Sequence, residues 1–68
     1  MKLSARNQLT GRVSEIHKGP IMAQVKIELP DGTEITSVVT AETVLELALV
    51  PGDTVTAIIK ATDVMIGK

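Results

Sequence analysis

Apolar and polar residues alternate along much of the chain, with the two-residue period of strands that bury one face. Leu9, Gly11 and Val13 alternate with polar neighbours, which predicts a first strand over residues 9–14. Residues 17–20 interrupt this pattern, because Pro20 lacks an N–H donor and Gly19 reaches backbone angles that other residues avoid. A turn is therefore predicted at residues 17–20.

The clearest alternation begins at Met22 and continues to residue 29, where it predicts a second strand. Pro30, Asp31 and Gly32 follow, and each favours a tight turn. The β-favouring run over residues 33–40 completes the pattern of a β-hairpin.

A short helix is predicted after this hairpin, over residues 41–47. The Thr40 hydroxyl can accept a hydrogen bond from a first-turn N–H, and Glu42 suits the positive end of the helix dipole. Residues 51–53, Pro-Gly-Asp, end the helix, and alternation over residues 54–59 predicts a fourth strand. A final short strand is predicted over residues 64–66.

The element order is three strands, one helix and two strands, which predicts an all-β fold with one short helix. A five-stranded OB-like barrel has this order, and β-sandwich arrangements remain open alternatives. The 68 residues suffice for a single domain over residues 1–68, whose core must be thin. No internal repeat divides it.

The composition bears on two further properties, the strength of the core and the kind of partner. The chain lacks Cys, Trp, Tyr and Phe, so neither disulfides nor large aromatic side chains reinforce the core, although 44% of the residues are hydrophobic. We therefore expect apolar surface to be covered by self-association. A net charge of −1 and the absence of stacking aromatics argue against binding to nucleic acid.

The same sequence argues against a membrane protein. Its longest apolar stretch, residues 43–51, contains Glu46 and is far shorter than the roughly 20 residues that span a bilayer. No apolar segment follows the N-terminal lysine as in a secretory signal, so a cytoplasmic location is expected.

Catalytic and metal-binding chemistry has little basis in this sequence, so we do not expect an enzyme or a catalytic cofactor. There is one histidine, His17, in a predicted exposed turn, and there is no cysteine. Asp31, Asp53 and Asp63 fall in separate turns rather than in one calcium-binding loop. No metal-cation site is predicted.

An anion site has better support. The start of the predicted helix offers N–H groups beside Thr40 and Thr43, and Arg6, Lys60 and the Ser4 hydroxyl supply further donors. Taken singly, each residue also fits a plainer role, as a solvated surface charge or a helix cap. Together they match a tetrahedral dianion.

Three segments in order resemble one family. SARNQLTG at residues 4–11 resembles the opening motif of the molbindin, or Mop, domain, which is also TOBE-like. HKGPIMAQVKIELPDGTEITSVVT at residues 17–40 resembles that family's turn, hairpin and third strand. VPGDTVTAIIKATDVMIGK at residues 50–68 resembles its closing strands.

The resemblance implies an OB-like barrel that binds molybdate or tungstate, as a free-standing protein for storage or homeostasis of the oxyanion. It also implies a homo-hexamer built as a trimer of dimers. The family's subunit-interface site falls on Ser4, Ala5, Arg6, Thr40, Thr43, Lys60 and Ala61. Ala61 replaces a frequent serine and keeps only its N–H, whereas Thr43 keeps the hydroxyl of the serine it replaces.

A second family site, near the threefold axis, falls on Lys18, Gly19 and Ile21. Pro20 removes an N–H donor that other members can have there. The competing interpretation of the whole chain is a structural or regulatory oligomerisation module that binds no oxyanion, and ligand titration separates the two.

Overall fold

The computed structural model describes residues 6–68, in which one antiparallel sheet curls around a short helix. The elements are β1 (Asn7–Lys18), β2 (Met22–Glu28), β3 (Glu34–Thr40), α1 (Ala41–Glu46), β4 (Thr54–Ile59) and a 3-10 turn (Ala61–Asp63). The strand order is β3-β2-β1-β4. This confirms the predicted all-β fold with one short helix. The sheet, however, has four strands and forms a half-barrel.

The long strand β1 organises the sheet because it pairs with two neighbours. Its first half pairs with β4, from Asn7 opposite Ile59, and its second half pairs with β2, up to Lys18 opposite Ala23. The register shifts at a β-bulge between Val13 and Glu15.

This bulge corrects the predicted end of the first strand. The extra residue, Ser14, lets Val13 and Ile16 both face the inside although they are three residues apart. The strand therefore continues to Lys18, and His17 lies opposite Gln24 rather than in a turn. The turn itself is confined to residues 19–21.

The predicted hairpin between β2 and β3 is confirmed. The Leu29 N–H donates to the Thr33 carbonyl at 2.8 Å, and the Gly32 N–H donates to the Leu29 carbonyl at 2.9 Å. Gly32 has a φ of +90°, which glycine adopts without strain. Because this turn extends through Thr33, β3 begins one residue later than predicted.

The predicted helix is also present, and its two ends have local causes. The Thr40 hydroxyl accepts from the Thr43 N–H at its start. At its end, Ala48 takes a φ of 50°, and the N–H groups of Ala48 and Leu49 donate to the carbonyls of Leu45 and Val44. Val44 is the residue that the helix buries in the core.

The core lies beneath β1 and β2. It consists of Val13, Ala23, Val25, Ile27 and Val44, none of which is more than 6% exposed. Packing thins toward the outer strands, where the inward-facing residues of β3 and β4 are only half-buried: Ile35, Val39, Val55 and Ala57. The core is small, as the length of the chain requires.

The half-barrel stays open between β3 and β4, which are the two edge strands and do not pair with each other. We call this opening the seam, formed by residues 35–39 of β3 and residues 55–59 of β4. The predicted fifth strand at residues 64–66 is not formed. A strand needs backbone partners, and this segment leaves the 3-10 turn without pairing to either open edge.

Candidate functional site

Arg6 and Lys60 are brought together by the pairing of β1 with β4. Arg6 directly precedes Asn7 and Lys60 directly follows Ile59, and Asn7 and Ile59 are opposite each other at the end of this ladder. Both cationic residues are exposed. No carboxylate within residues 6–68 forms a salt bridge with either of them. Two positive charges therefore stand at one end of the sheet, where an anion can approach.

A side chain that sequence reasoning missed fixes this end of the sheet. The Asn7 side-chain amide donates to the Ile59 carbonyl at 3.2 Å. Asn7 directly follows Arg6, and Ile59 directly precedes Lys60. Its position in the SARNQLTG motif was a signal for it. Ala61 opens the 3-10 turn just beyond Lys60, whereas Ser4 and Ala5 lie outside the described residues.

Thr40 and Thr43 form a hydroxyl pair at the start of α1. Their Oγ1 atoms are 2.7 Å apart, and the Thr43 N–H donates to Thr40 Oγ1 at 3.1 Å. The contact between the hydroxyls uses one of their two hydrogens, whichever oxygen donates. The other hydrogen is left for an external acceptor.

The backbone at the helix start offers less than the sequence indicated. The Ala41 N–H donates to the Ile21 carbonyl at 2.8 Å, and the Thr43 N–H is taken by the Thr40 hydroxyl. The helix has only six residues, so its dipole is small. The hydroxyl pair is therefore the main side-chain donor at the start of the helix.

The turn between β1 and β2 lies next to that hydroxyl pair. Met22 is opposite Thr40 in the sheet, and the Ile21 carbonyl holds the first N–H of α1. The Gly19 N–H donates to the Met22 carbonyl at 2.8 Å, and a Cβ on Gly19 would come within 2.9 Å of that same oxygen. Gly19 is thus needed for the close turn, and its N–H is already used within the chain.

Two hollows along the seam show how far apart the predicted site residues are. A cavity of about 130 Å³ places Thr43 beside Val55 and Thr56. A wider groove of about 430 Å³ places Ile59 beside Ile35 at the other end. From Val55 to Lys60 the extended chain covers about 16 Å. Within one chain, Arg6 and Lys60 therefore lie at one end of the seam, and Thr40 and Thr43 at the other.

His17 belongs to a separate polar network on the outer face of the sheet. Its Nε2 is 3.0 Å from Glu15 Oε1, and Lys26 Nζ lies 3.7 Å from Glu15 and 3.8 Å from Glu34. These groups join three strands across the solvent-facing side. His17 therefore has Glu15 as its partner on the sheet, and Glu15 is not one of the predicted oxyanion-site residues.

Other kinds of site were sought over the same residues. Residues 6–68 contain no group of three or more His, Asp or Glu side chains placed to hold a metal ion. Within that range, α1 is too short to cross a membrane, and no other helix is long and apolar enough to do so.

Comparisons with known proteins identify close relatives. A family model described as the TOBE domain matches residues 3–66. The chain is 48% identical over 66 residues to molybdenum-pterin-binding protein 1 of Clostridium pasteurianum, and the match covers 97% of both chains. This confirms the family resemblance predicted from the three sequence motifs.

Two solved structures share the fold. A molybdate-binding protein from Sporomusa ovata superposes with a TM-score of 0.94 at 46% identity, and the match covers 100% of both chains. The cytoplasmic molybdate-binding protein ModG, in a form with molybdate bound, gives a TM-score of 0.86 at 54% identity over 90% of this chain and 43% of that one. At these identities the likeness extends to sequence as well as to fold.

Proposed function

The chain belongs to the TOBE domain family, and we propose that it binds molybdate or tungstate and serves in storage or homeostasis of that oxyanion. The main support for the proposal is that the pairing of β1 with β4 places Arg6 next to Lys60 at one end of the seam. The chain that carries these two residues matches a molybdate-binding protein over its whole length. The role is binding and needs no catalytic cofactor.

The donor set explains why a tetrahedral dianion is preferred. Arg6 offers a fork of N–H donors and Lys60 a mobile ammonium, while the pair at Thr40 and Thr43 leaves one hydroxyl hydrogen free. Molybdate oxygens only accept hydrogen bonds, so they suit a set made of donors. Phosphate is partly protonated at neutral pH and brings an O–H donor to a set made mainly of donors, whereas sulfate differs from molybdate in size.

Self-association is part of the proposal, and the seam supports it. Within residues 6–68, β3 and β4 each leave one edge unpaired, and Val64, Met65 and Ile66 form an exposed apolar run. An unpaired strand edge is a template for pairing with another chain, and a contiguous exposed apolar surface marks a site of protein–protein contact. We propose that a second copy supplies the fifth strand that closes the OB-like barrel.

The proposed interface site, Ser4, Ala5, Arg6, Thr40, Thr43, Lys60 and Ala61, is then shared between two copies. A twofold axis brings opposite ends of two facing copies together, so Arg6 and Lys60 of one copy can meet the hydroxyl pair of its partner. The hexamer implied by the sequence resemblance would use further apolar surface. Ile21, Leu45, Leu47 and Val50 are exposed and outside the seam.

A second oxyanion contact is proposed at the turn after β1. Lys18 supplies an ammonium there and Ile21 a backbone N–H, while Gly19 permits the close turn rather than donating. We also propose a cytoplasmic location, in keeping with the description of the structural neighbour ModG. No nucleic-acid partner is proposed.

Calorimetric titration with molybdate, tungstate, sulfate and phosphate tests this function. We expect molybdate and tungstate to bind and Arg6→Ala to remove binding at the interface site. Arg12→Ala is the matched control, because Arg12 is the other arginine and lies beside Glu28 on the outer face. Equal affinity for all four anions, or equal loss in both variants, would contradict the proposal.

A second candidate function is a structural or regulatory oligomerisation module without an oxyanion. The open seam favours it as much as it favours the first candidate, because the seam calls for a second chain whatever the ligand. Native mass measurement beside the titration separates them. A stable oligomer that binds none of the four anions would establish the alternative.

A further inference from the structure

The tip of the β2–β3 hairpin carries an Asp-Gly sequence, Asp31–Gly32, on an exposed turn. Apart from the two adjoining residues, nothing in residues 6–68 lies within 4 Å of the position that a Cβ on Gly32 would occupy. The backbone N of a glycine is sterically the least hindered of any residue. Asp-Gly is therefore the sequence at which an aspartate side chain most readily reacts with its own backbone.

The reaction is an internal condensation that needs no oxidant or other reagent. The Gly32 backbone N attacks the carboxyl carbon of the protonated Asp31 side chain, an N–C bond forms, and the carboxyl O–H leaves as water together with the amide hydrogen. Water then opens the succinimide ring at either carbonyl. One opening restores aspartate, and the other gives isoaspartate, in which the main chain runs through the former side chain.

Both reacting groups are held by hydrogen bonds in the folded hairpin. Asp31 Oδ1 accepts from the Thr33 N–H at 2.9 Å, and the Gly32 N–H donates to the Leu29 carbonyl at 2.9 Å. Attack requires the carboxyl group to turn toward Gly32 N and that N–H to be released. We propose that Asp31–Gly32 is a site of isoaspartate formation that the folded hairpin blocks and that becomes reactive only when the hairpin tip opens.

The ionisation of Asp31 supports this geometry. Hydrogen bonds from Thr33 hold the pKa of the Asp31 carboxyl below its ordinary value of 3.8. The protonated carboxyl, whose O–H can leave as water, is therefore rarer in the folded hairpin than in an open chain at the same pH.

Rearrangement would damage the strand that borders the seam. Isoaspartate inserts one extra carbon into the main chain at the tip and removes the side chain that binds the Thr33 N–H. The turn then cannot hold Glu28 opposite Glu34, where the β2–β3 ladder begins. Isoaspartate at position 31 would thus mark chains whose hairpin has been open.

The test compares the intact protein with a capped peptide of residues 29–34 in the same neutral buffer. Isoaspartate is measured by enzymatic methylation and by peptide mapping, with Asp53, which precedes Thr54, as the background position. We expect position 31 to react at least roughly tenfold more slowly in the protein, because a hairpin tip opens at modest free energy. Equal rates in protein and peptide would overturn the proposal.

Asp31→Asn provides a second measurement that removes the effect of carboxylate ionisation. The asparagine oxygen can still accept from the Thr33 N–H, and the same ring forms with loss of ammonia. If hydrogen bonding in the turn blocks the reaction, the variant protein also reacts more slowly than the peptide with the same substitution. Equal rates for this pair would show that the hairpin geometry does not protect the bond.

Discussion

The two sides of the half-barrel differ in what completes them. On the closed side, Val13 and Val44 are each 1% exposed, and the chain's own strands cover them. At the seam, β3 and β4 leave open edges within residues 6–68, and after β4 the chain exposes Met65 and Ile66 by 93% and 94%. The same short chain thus finishes one side of its barrel and leaves the other open, where we propose that a second copy binds.

The closed side can form within one chain because its connections are local. β1, β2 and β3 follow one another through two short turns, so each strand pairs with its sequence neighbour. Closing the seam requires a strand between β3 and β4. The C-terminal apolar segment, residues 64–66, pairs with neither within the described residues.

The largest effect is expected from charges placed in the C-terminal apolar run. Val64→Asp combined with Ile66→Asp should abolish assembly, because burial of an unpaired carboxylate costs several kcal/mol. Native mass spectrometry measures the oligomer, and circular dichroism checks that the sheet remains. Lys68→Asp is the control for charge alone and should assemble normally. Full assembly of the double variant would contradict a role for this run at the seam.

A core truncation on the closed side should act on folding instead. Val13→Ala removes buried methyl groups and should lower the free energy of unfolding by about 2 kcal/mol. Val38→Ala makes the same change on the exposed outer face of β3 and should cost at most about 0.5 kcal/mol. Urea unfolding measures both. Equal losses would mean that the core does not lie beneath β1 and β2.

Helix α1 packs against β2 and β3, and its C-terminal end offers a smaller, stabilising change. Ala48 has a φ of 50°, which glycine adopts more easily, so Ala48→Gly should raise the free energy of unfolding by ~0.5–1 kcal/mol. Ala41→Gly, in the first turn, is the control and should lower it. Destabilisation by Ala48→Gly would contradict the left-handed backbone conformation of Ala48 at the end of the helix.

The smallest effect is expected from pH at the hairpin tip. The pKa of Asp31 is lowered in the folded chain, so its stabilising contribution is present above the ordinary pKa of 3.8 and is lost as pH falls through the folded value. An NMR titration of the Asp31 carboxyl carbon should give a midpoint below 3.8. A midpoint at or above this value would contradict the hydrogen bond from Thr33.

Sequence patterns predicted the fold wherever each strand pairs with a near neighbour. Turn residues 30–32 and the alternation before them predicted the hairpin, and Thr40 predicted the helix start. The bulge at Ser14 was missed because it breaks the two-residue period on which the prediction rests. The fifth strand was predicted from a local pattern, which cannot show whether a strand partner is available.

The candidate site was predictable only in part for the same reason. Arg6 and Lys60 are far apart in sequence, and only the β1–β4 register brings them together. The helix start was expected to present free N–H groups, but the Ile21 carbonyl and the Thr40 hydroxyl take two of them. Long-range pairing and local competition for donors are not visible in residue patterns.

The most direct test of a shared oxyanion site mixes two variants. Arg6→Ala and Thr43→Val should each lose molybdate binding at the interface site when assembled alone. Unfolding and refolding them together in equal amounts should restore about one quarter of the wild-type sites, because half of the pairs are mixed and each holds one intact site. No recovery, in a mixture that mass spectrometry shows to contain mixed oligomers, would contradict a site shared between two copies.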